Sequence, residues 1–347
     1  MSHLLVDVSA HGFGHAGQLA PVLAELRRRR PGLRLTVRST LAVDALAAIL
    51  PGPFETAEPA PDPCLLMHDP VTVDREATRA AYDALEVRWD AIVASDADRL
   101  RGLRPTLLLS NIGFVGIAAA AAAGIPAVAL GSLNWADVAA AYEVASPAML
   151  ERMRTAYRLA DRAVLLTPHL PTEWLERRVR VGPVARVGRA RPEALRAALG
   201  VTEGIVLALV AFGGIEGADR LAGLPDLPGV LWLADRLERP GMRSTRGLAL
   251  PFPDLLASVD LLVTKTGYGL FAEAAAAGTP LLYRERPDWP EAPGLEAWIR
   301  SVGIGRPLPA DPDAIARAVG EIRASPRPRP VPPGGVAETV AVLEGFL

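Results

Sequence analysis

Short apolar runs alternate with helix-length segments along almost the whole chain, and no other feature constrains the fold as tightly. Runs at 4–8, 33–37, 106–109, 127–130 and 163–166 read as strands. Between them, 18–29, 43–50, 114–123 and 147–160 read as helices, and 75–100 as one long helix or two. The pattern resumes with strands at 205–210, 230–233, 261–264 and 280–283 and helices at 193–199, 253–258, 269–277, 292–301 and 312–324. Strands that are apolar throughout, instead of alternating, belong to parallel sheets covered by helices on both faces. With 347 residues the chain is long for one core and natural for two. The Gly-, Pro- and Arg-rich stretch 181–191 is the expected linker. A Pro-rich connector at 325–335 is expected to be extended and to deliver a last helix at 336–346. The expected organisation is an α/β Rossmann-like domain at 1–185, a second at 186–330, and a terminal helix at 331–347 that returns to the first.

Composition removes several function classes. Half the residues are hydrophobic and 22% are charged, which fits a packed globular protein. A net charge of −2 offers no field to hold a polyanion, so nucleic acid is not expected as a partner. The Arg27 to Arg30 run reads as a solvated helix end. One cysteine, Cys64, excludes a disulfide framework and a thiolate zinc site, and points to a reducing cytoplasmic setting. The start of the chain turns polar too early for a signal peptide. The apolar stretch 115–131 is interrupted by Gly124-Ile125-Pro126, so no membrane span is expected.

Three segments can carry chemistry, and each has a plain structural reading beside the functional one. Ser9-Ala-His-Gly-Phe-Gly-His15 follows the first strand and opens a helix, where glycines let a ligand approach the backbone. The GxGxxG spacing of dinucleotide binders is absent, which disfavours NAD. Phe212-Gly213-Gly214 follows the strand at 205–210, and paired glycines there can turn backbone amides toward phosphate oxygens. The third is the most informative. In residues 263–280 a strand, the turn Gly267-Tyr268-Gly269, a helix and the next strand start succeed one another. That turn places amide N–H groups at a helix start, and Glu273, one turn on, can accept both hydroxyls of a ribose. Its plain alternative is compensation of the helix dipole, worth about 0.3–1 kcal/mol. Gly278-Thr279-Pro280 is a helix stop.

TKTGYGLFAEAAAAGTPLLY at 264–283 resembles the donor-site signature of GT-B glycosyltransferases, including the UDP-glycosyltransferases and the family of the N-acetylglucosaminyltransferase that completes lipid II. With Arg286-Pro-Asp-Trp-Pro-Glu-Ala-Pro293 added, the wording is closest to the glycosyltransferase-like N-terminal half of plant L-arabinokinase and its bacterial stand-alone relatives. GFGHAGQLAPVLAEL at 12–26, the segment 107–130 and FGG at 212–214 match in the same order. The resemblance implies a GT-B fold, with two Rossmann-like domains facing across a cleft and a nucleoside-diphosphate sugar as donor, UDP being the first choice of nucleotide. No other cofactor and no metal are implied. Glu273 matches the glutamate that holds the donor ribose. Gly213 and Gly214 match the turn facing the diphosphate, and Gly267, Tyr268 and Gly269 lie across from it. Lys265, the one lysine among 37 basic residues, stands where many relatives place a histidine beside the diphosphate. Glu291 lies near the place of an acidic residue on the sugar hydroxyls. His15 matches the histidine that deprotonates the acceptor. Asn111 replaces the aspartate that orients this histidine in plant relatives. An amide can hold the ring but adds no charge, which makes Asp137 the next candidate carboxylate.

These features point to a glycosyltransferase, inverting and metal-independent, acting on an unidentified acceptor. Non-catalytic nucleotide-sugar binding, for instance as a regulatory partner, is the alternative. An epimerase of the same fold is a third reading.

Overall fold

The computed structural model describes residues 2–9, 11, 13–69, 72–212, 223–235 and 239–347. The chain divides into two compact units. The first comprises Met1–Val184 and Gly334–Leu347, the second Ala185–Pro333.

In the first unit seven strands are β1 (His3–Val8), β2 (Arg34–Arg38), β3 (Glu55–Ala57), β4 (Leu107–Asn111), β5 (Ala127–Gly131), β6 (Arg162–Leu166) and β7 (Arg178–Val181). They form one sheet, order β3-β2-β1-β4-β5-β6-β7, with every pairing parallel. β1, β4 and β5 are buried along their whole length, as their unbroken apolar runs require. Strand order reverses between β1 and β4. That is the topological switch point, where loops leaving neighbouring strand ends diverge and open a crevice. The crossover helices include α1 (Gly14–Arg29), α4 (Trp89–Leu103), α5 (Val115–Ala123), α6 (Trp135–Ala141) and α7 (Pro147–Arg158). The helical stretch at 75–100 is two helices, α3 (Arg75–Val87) and α4, broken at Arg88.

One buried ion cluster ties this unit together. The Arg38 guanidinium donates from Nε and Nη2 to Asp7 (2.6 and 2.7 Å) and from Nη1 to Asp96 (2.7 Å), joining β2, β1 and α4. Burial opposes the charge on Arg38, but the two carboxylates outweigh it and raise its pKa. α5 passes close above through Gly116, where a Cβ would overlap the Asp7 carboxylate. The nearby Asp62 accepts from the first amides of that helix, Phe114 N (2.8 Å) and Val115 N (3.1 Å).

The last helix, α13 (Gly335–Glu344), belongs to the first unit and lies against α1. Arg29 pairs with Glu344 at 3.0 Å, and Ser2 Oγ donates to the Leu347 carbonyl at 2.8 Å. Its start is fastened to the end of β7. Gly335 N donates to the Pro183 carbonyl (3.1 Å), and Gly182 N donates to Glu338 (2.7 Å).

The second unit holds β8 (Val206–Val210), β9 (Val230–Ala234), β10 (Met242–Ser244), β11 (Leu261–Lys265), β12 (Leu281–Arg284) and β13 (Gly305–Pro307). They form a parallel sheet of order β10-β9-β8-β11-β12-β13, with its switch point between β8 and β11. Ala208, Val210, Trp232, Val263 and Leu282 pack with Ile315 and Val319 of α12 (Pro312–Ala324) into its core. α10 (Tyr268–Ala277) ends at Gly278, whose φ of 64° is left-handed and against which the Pro328 carbonyl closes.

Candidate functional site

At the switch point of the first sheet, the loops after β1 and β4 bring His15 and Asn111 together. His15 occupies the first turn of α1, and Asn111 is the last residue of β4. His15 Nδ1 lies 2.6 Å from Asn111 Oδ1. Asn111 Nδ2 donates to Gln18 Oε1 at 2.9 Å, and Gln18 Nε2 donates to Ser132 Oγ at 3.2 Å. With the amides oriented so, the His15 ring carries its proton on Nδ1 and leaves Nε2 as an acceptor. Burial pushes the His15 pKa down to about 4 against the opposing bond to Asn111, so the ring is neutral at physiological pH. A neutral imidazole with an open nitrogen can accept a proton from a hydroxyl.

Trp135, the first residue of α6 and fully buried, packs near two imidazoles. Its ring centre is 5.7 Å from that of His15 and 5.5 Å from that of His11. Ser9 Oγ accepts from Trp135 Nε1 (3.2 Å) and from Ile112 N (3.1 Å), and Ser9 N donates to the Asn111 carbonyl (2.8 Å). Three strand-end loops are thereby locked to one another around the histidine.

Asp137 does not take the place beside His15 that the sequence suggested. Its carboxylate accepts from Asn134 Nδ2 (2.7 Å) and Trp174 Nε1 (3.1 Å), while Asn134 accepts from Asp137 N (2.8 Å). This reciprocal pair caps the start of α6, so the carboxylate serves the helix end. Gln18, Ser132 and Trp135 have no counterpart among the residues the sequence singles out. Gln18 carries a signal, because it lies three residues after His15 on the same helix face. Ser132 and Trp135 depend on strand order, which local sequence does not carry.

The second unit presents its residues at its own switch point. Lys265 ends β11, Gly267 caps α10, and Tyr268 and Gly269 form the first turn of that helix. Among the described residues no side-chain cap bonds this helix start, and a Cβ at Gly269 would meet nothing within 4 Å. Packing among the described residues therefore does not demand the glycine. Gly213 and Gly214 lie outside the described residues.

Glu273 is 5% exposed, on α10. Its Oε1 accepts from Arg186 Nε at 2.6 Å, and its Oε2 is buried with no partner among the described residues. Burial raises the Glu273 pKa, and Arg186 opposes that rise. Arg186 also lies over the Phe252 ring, 5.9 Å from its centre. Nothing in the sequence around Arg186 marks it. Glu291 precedes α11 (Ala292–Ser301) and accepts from Trp289 Nε1 at 3.0 Å, and Arg286 covers the Trp289 ring at 4.4 Å. These residues follow β12, the neighbour of β11.

Among the described residues, no group of three or more His, Cys, Asp or Glu comes together as a metal site, and no helix is long and apolar enough to cross a membrane.

No protein-family model matches the chain. L-arabinokinase of Arabidopsis thaliana is 24% identical over 297 residues, which cover 83% of this chain. The match spans 28% of that protein's length. The calicheamicin glycosyltransferase CalG4 superposes with a TM-score of 0.63 at 20% identity, over 100% of this chain and 98% of its own. Other glycosyltransferase structures match over the whole chain as well. UDP-GlcNAc 2-epimerase from Neisseria meningitidis, bound to UDP-GlcNAc, matches with a TM-score of 0.58 at 12% identity, over 99% and 98% of the two chains. The fold is GT-B, shared with these glycosyltransferases.

Proposed function

We propose that the chain is an inverting glycosyltransferase that moves a sugar from a nucleoside-diphosphate sugar to a hydroxyl acceptor. The observation that carries this reading is His15, a neutral imidazole held through Nδ1 at the switch point of the first sheet. In the step, the acceptor oxygen attacks the anomeric carbon and His15 Nε2 takes its proton. The bond between that carbon and the diphosphate oxygen breaks, and the diphosphate leaves with the electron pair. Lys265 and the amides at the start of α10 stabilise the departing charge, the kind of fixed electrostatic contribution that dominates such sites. Glu273 holds the ribose hydroxyls, and Glu291 lies on the sugar side. Acceptor activation is thus assigned to the first unit and donor binding to the second. The GT-B fold and its glycosyltransferase neighbours support this reading.

A thermal-shift screen of nucleotides, followed by nucleotide-sugars scored for release of free nucleoside diphosphate, tests it. One nucleotide is expected to raise the melting temperature by mass action. Glu273→Ala is expected to weaken its binding by about 1.5–3 kcal/mol, read by calorimetry, the scale of hydrogen bonds to a charged group. No response to any nucleotide would remove the proposal. Binding without release, with any acceptor, would favour the second reading, nucleotide-sugar binding without transfer, which the neutral Asn111 beside His15 motivates.

Arg186 supplies a separate expectation. Its guanidinium opposes the burial that raises the Glu273 pKa. In Arg186→Met the carboxyl stays protonated to higher pH, so the acid-side loss of nucleotide affinity moves toward neutrality. Calorimetric titrations at pH 6 and pH 8 are expected to differ more for the variant than for the parent. Equal differences would detach Arg186 from the site.

A further inference from the structure

An aspartate beside a catalytic histidine sets the tautomer automatically, because a carboxylate only accepts hydrogen bonds. An amide is two-faced. It can offer its oxygen and keep the ring proton on Nδ1, or offer its N–H and drive that proton to Nε2, which would abolish the base. Asn111 therefore defines the state of His15 only if something fixes which way its own amide points.

That something is on the next turn of α1. Gln18 Oε1 receives Asn111 Nδ2 at 2.9 Å, and Gln18 Nε2 is in turn spent on Ser132 Oγ at 3.2 Å. His15, Gln18, Asn111 and Ser132 are 6%, 5%, 0% and 2% exposed, so water does not compete for these bonds. Turning over Asn111 alone would set its oxygen against Gln18 Oε1 and its N–H groups against the ring N–H. Both contacts are repulsive, at distances of 2.9 and 2.6 Å.

We propose that Gln18 is a positioning residue that, with its Oε1 toward Asn111 Nδ2 and its Nε2 toward Ser132 Oγ, orients the Asn111 amide and through it holds His15 with its proton on Nδ1 and its Nε2 lone pair open. An uncharged relay of two amides and a hydroxyl thereby takes over the tautomer-setting part of a carboxylate's work without the negative charge. Its use in catalysis rests on the proposed transfer reaction; the tautomer itself does not.

The test separates the two. Long-range ¹H–¹⁵N correlation spectra of the ¹⁵N-labelled full chain at pH 7 report the tautomer of each of its five histidines, and His15→Gln identifies the His15 signals. The expected result is an Nδ1–H ring for His15. In Gln18→Leu the signals are expected to move toward a tautomer mixture. Turnover should fall between roughly 10-fold and 10³-fold, since a base in the wrong tautomer loses up to about 10⁴. KM for the nucleotide-sugar should be unchanged. Gln18→Glu keeps an acceptor facing Asn111 Nδ2 and is expected to restore both the Nδ1–H signature and turnover to within a few-fold. An Nε2–H ring in the parent, or a Gln18→Leu spectrum and rate indistinguishable from it, overturns the proposal. An Nδ1–H ring that depends on Gln18, in a protein that transfers no sugar, leaves the proposal standing and sinks the reaction instead.

Discussion

His15→Ala is expected to lower sugar transfer by about 10²–10⁴, the range for loss of a general base, while nucleotide affinity stays at the parent value. The separation follows from placement. His15 sits in the first unit in the first turn of α1, whereas Glu273, Lys265 and the start of α10 belong to the second. The base must be neutral to act, and burial has moved its pKa to about 4. Turnover in the parent is therefore expected to rise with pH through about 4 and to be level across neutrality. Asn111→Asp places a charge against the ring, favours imidazolium and moves that acid limb upward. The same shift has a stability counterpart. Between the ordinary histidine pKa and about 4 the unfolded chain takes up a proton that the folded ring refuses, so stability falls as pH falls through that window. His15→Ala removes this contribution. Steady-state rates and denaturation midpoints over pH 4–8 check both. Undiminished transfer in the alanine variant would place the base elsewhere.

Arg38→Met is expected to be the most damaging single change to the first unit, at about 3–5 kcal/mol, the cost of leaving buried charge without its partner. Asp7 and Asp96 both accept from this guanidinium, Arg99 Nη1 lies 4.0 Å from Asp96 Oδ1, and Asp62 lies within the field of the two carboxylates. The Asp62 pKa is already raised to about 7, first by burial and then by those two carboxylates, against the amides of Phe114 and Val115. Burial already raises the Asp96 pKa against the Arg38 charge, and loss of that charge would raise it further. A carboxyl whose folded pKa is raised favours the folded state at low pH and loses that contribution as pH increases. The deficit of the variant is therefore expected to shrink between pH 7 and pH 5 in urea denaturation. A deficit independent of pH would mean that lost packing, not uncompensated charge, is the cause.

The strands visible in the sequence are those buried on both faces, since an unbroken apolar run such as Leu107–Leu109 or Leu261–Val263, too short for a helix, suits the interior of a covered sheet. The edge strands β3, β7, β10 and β13 carry no such mark. They are three or four residues long, half exposed and polar in part, as Arg178-Val-Arg-Val181 illustrates. In the site, the glycine turn after the first strand marks the segment that carries His15, whereas Asn111 is reached only through the family resemblance. Gln18–Ser132, Arg186–Glu273 and the Arg38 cluster join residues 114, 87, 31 and 58 positions apart. Such partners are chosen by strand order and helix crossover, and no local pattern announces them. The partners of Asp137, the next candidate carboxylate, are hidden for the same reason: Asn134 and Trp174 bond its oxygens.

The backbone bond between Gly335 and Pro183 has a topological consequence. The chain leaves the first unit after Val184 and re-enters it at Gly334, and these two crossings are stitched side by side. A Cβ on Gly335 would overlap the Gly182 carbonyl, so the stitch tolerates no bulk. Residues 185–333 thus depart from and return to the first unit at neighbouring points of its chain. All seven strands of the histidine-bearing sheet lie outside that insert, so its excision with closure by a tight turn is expected to leave them paired, as circular dichroism of the shortened chain would show.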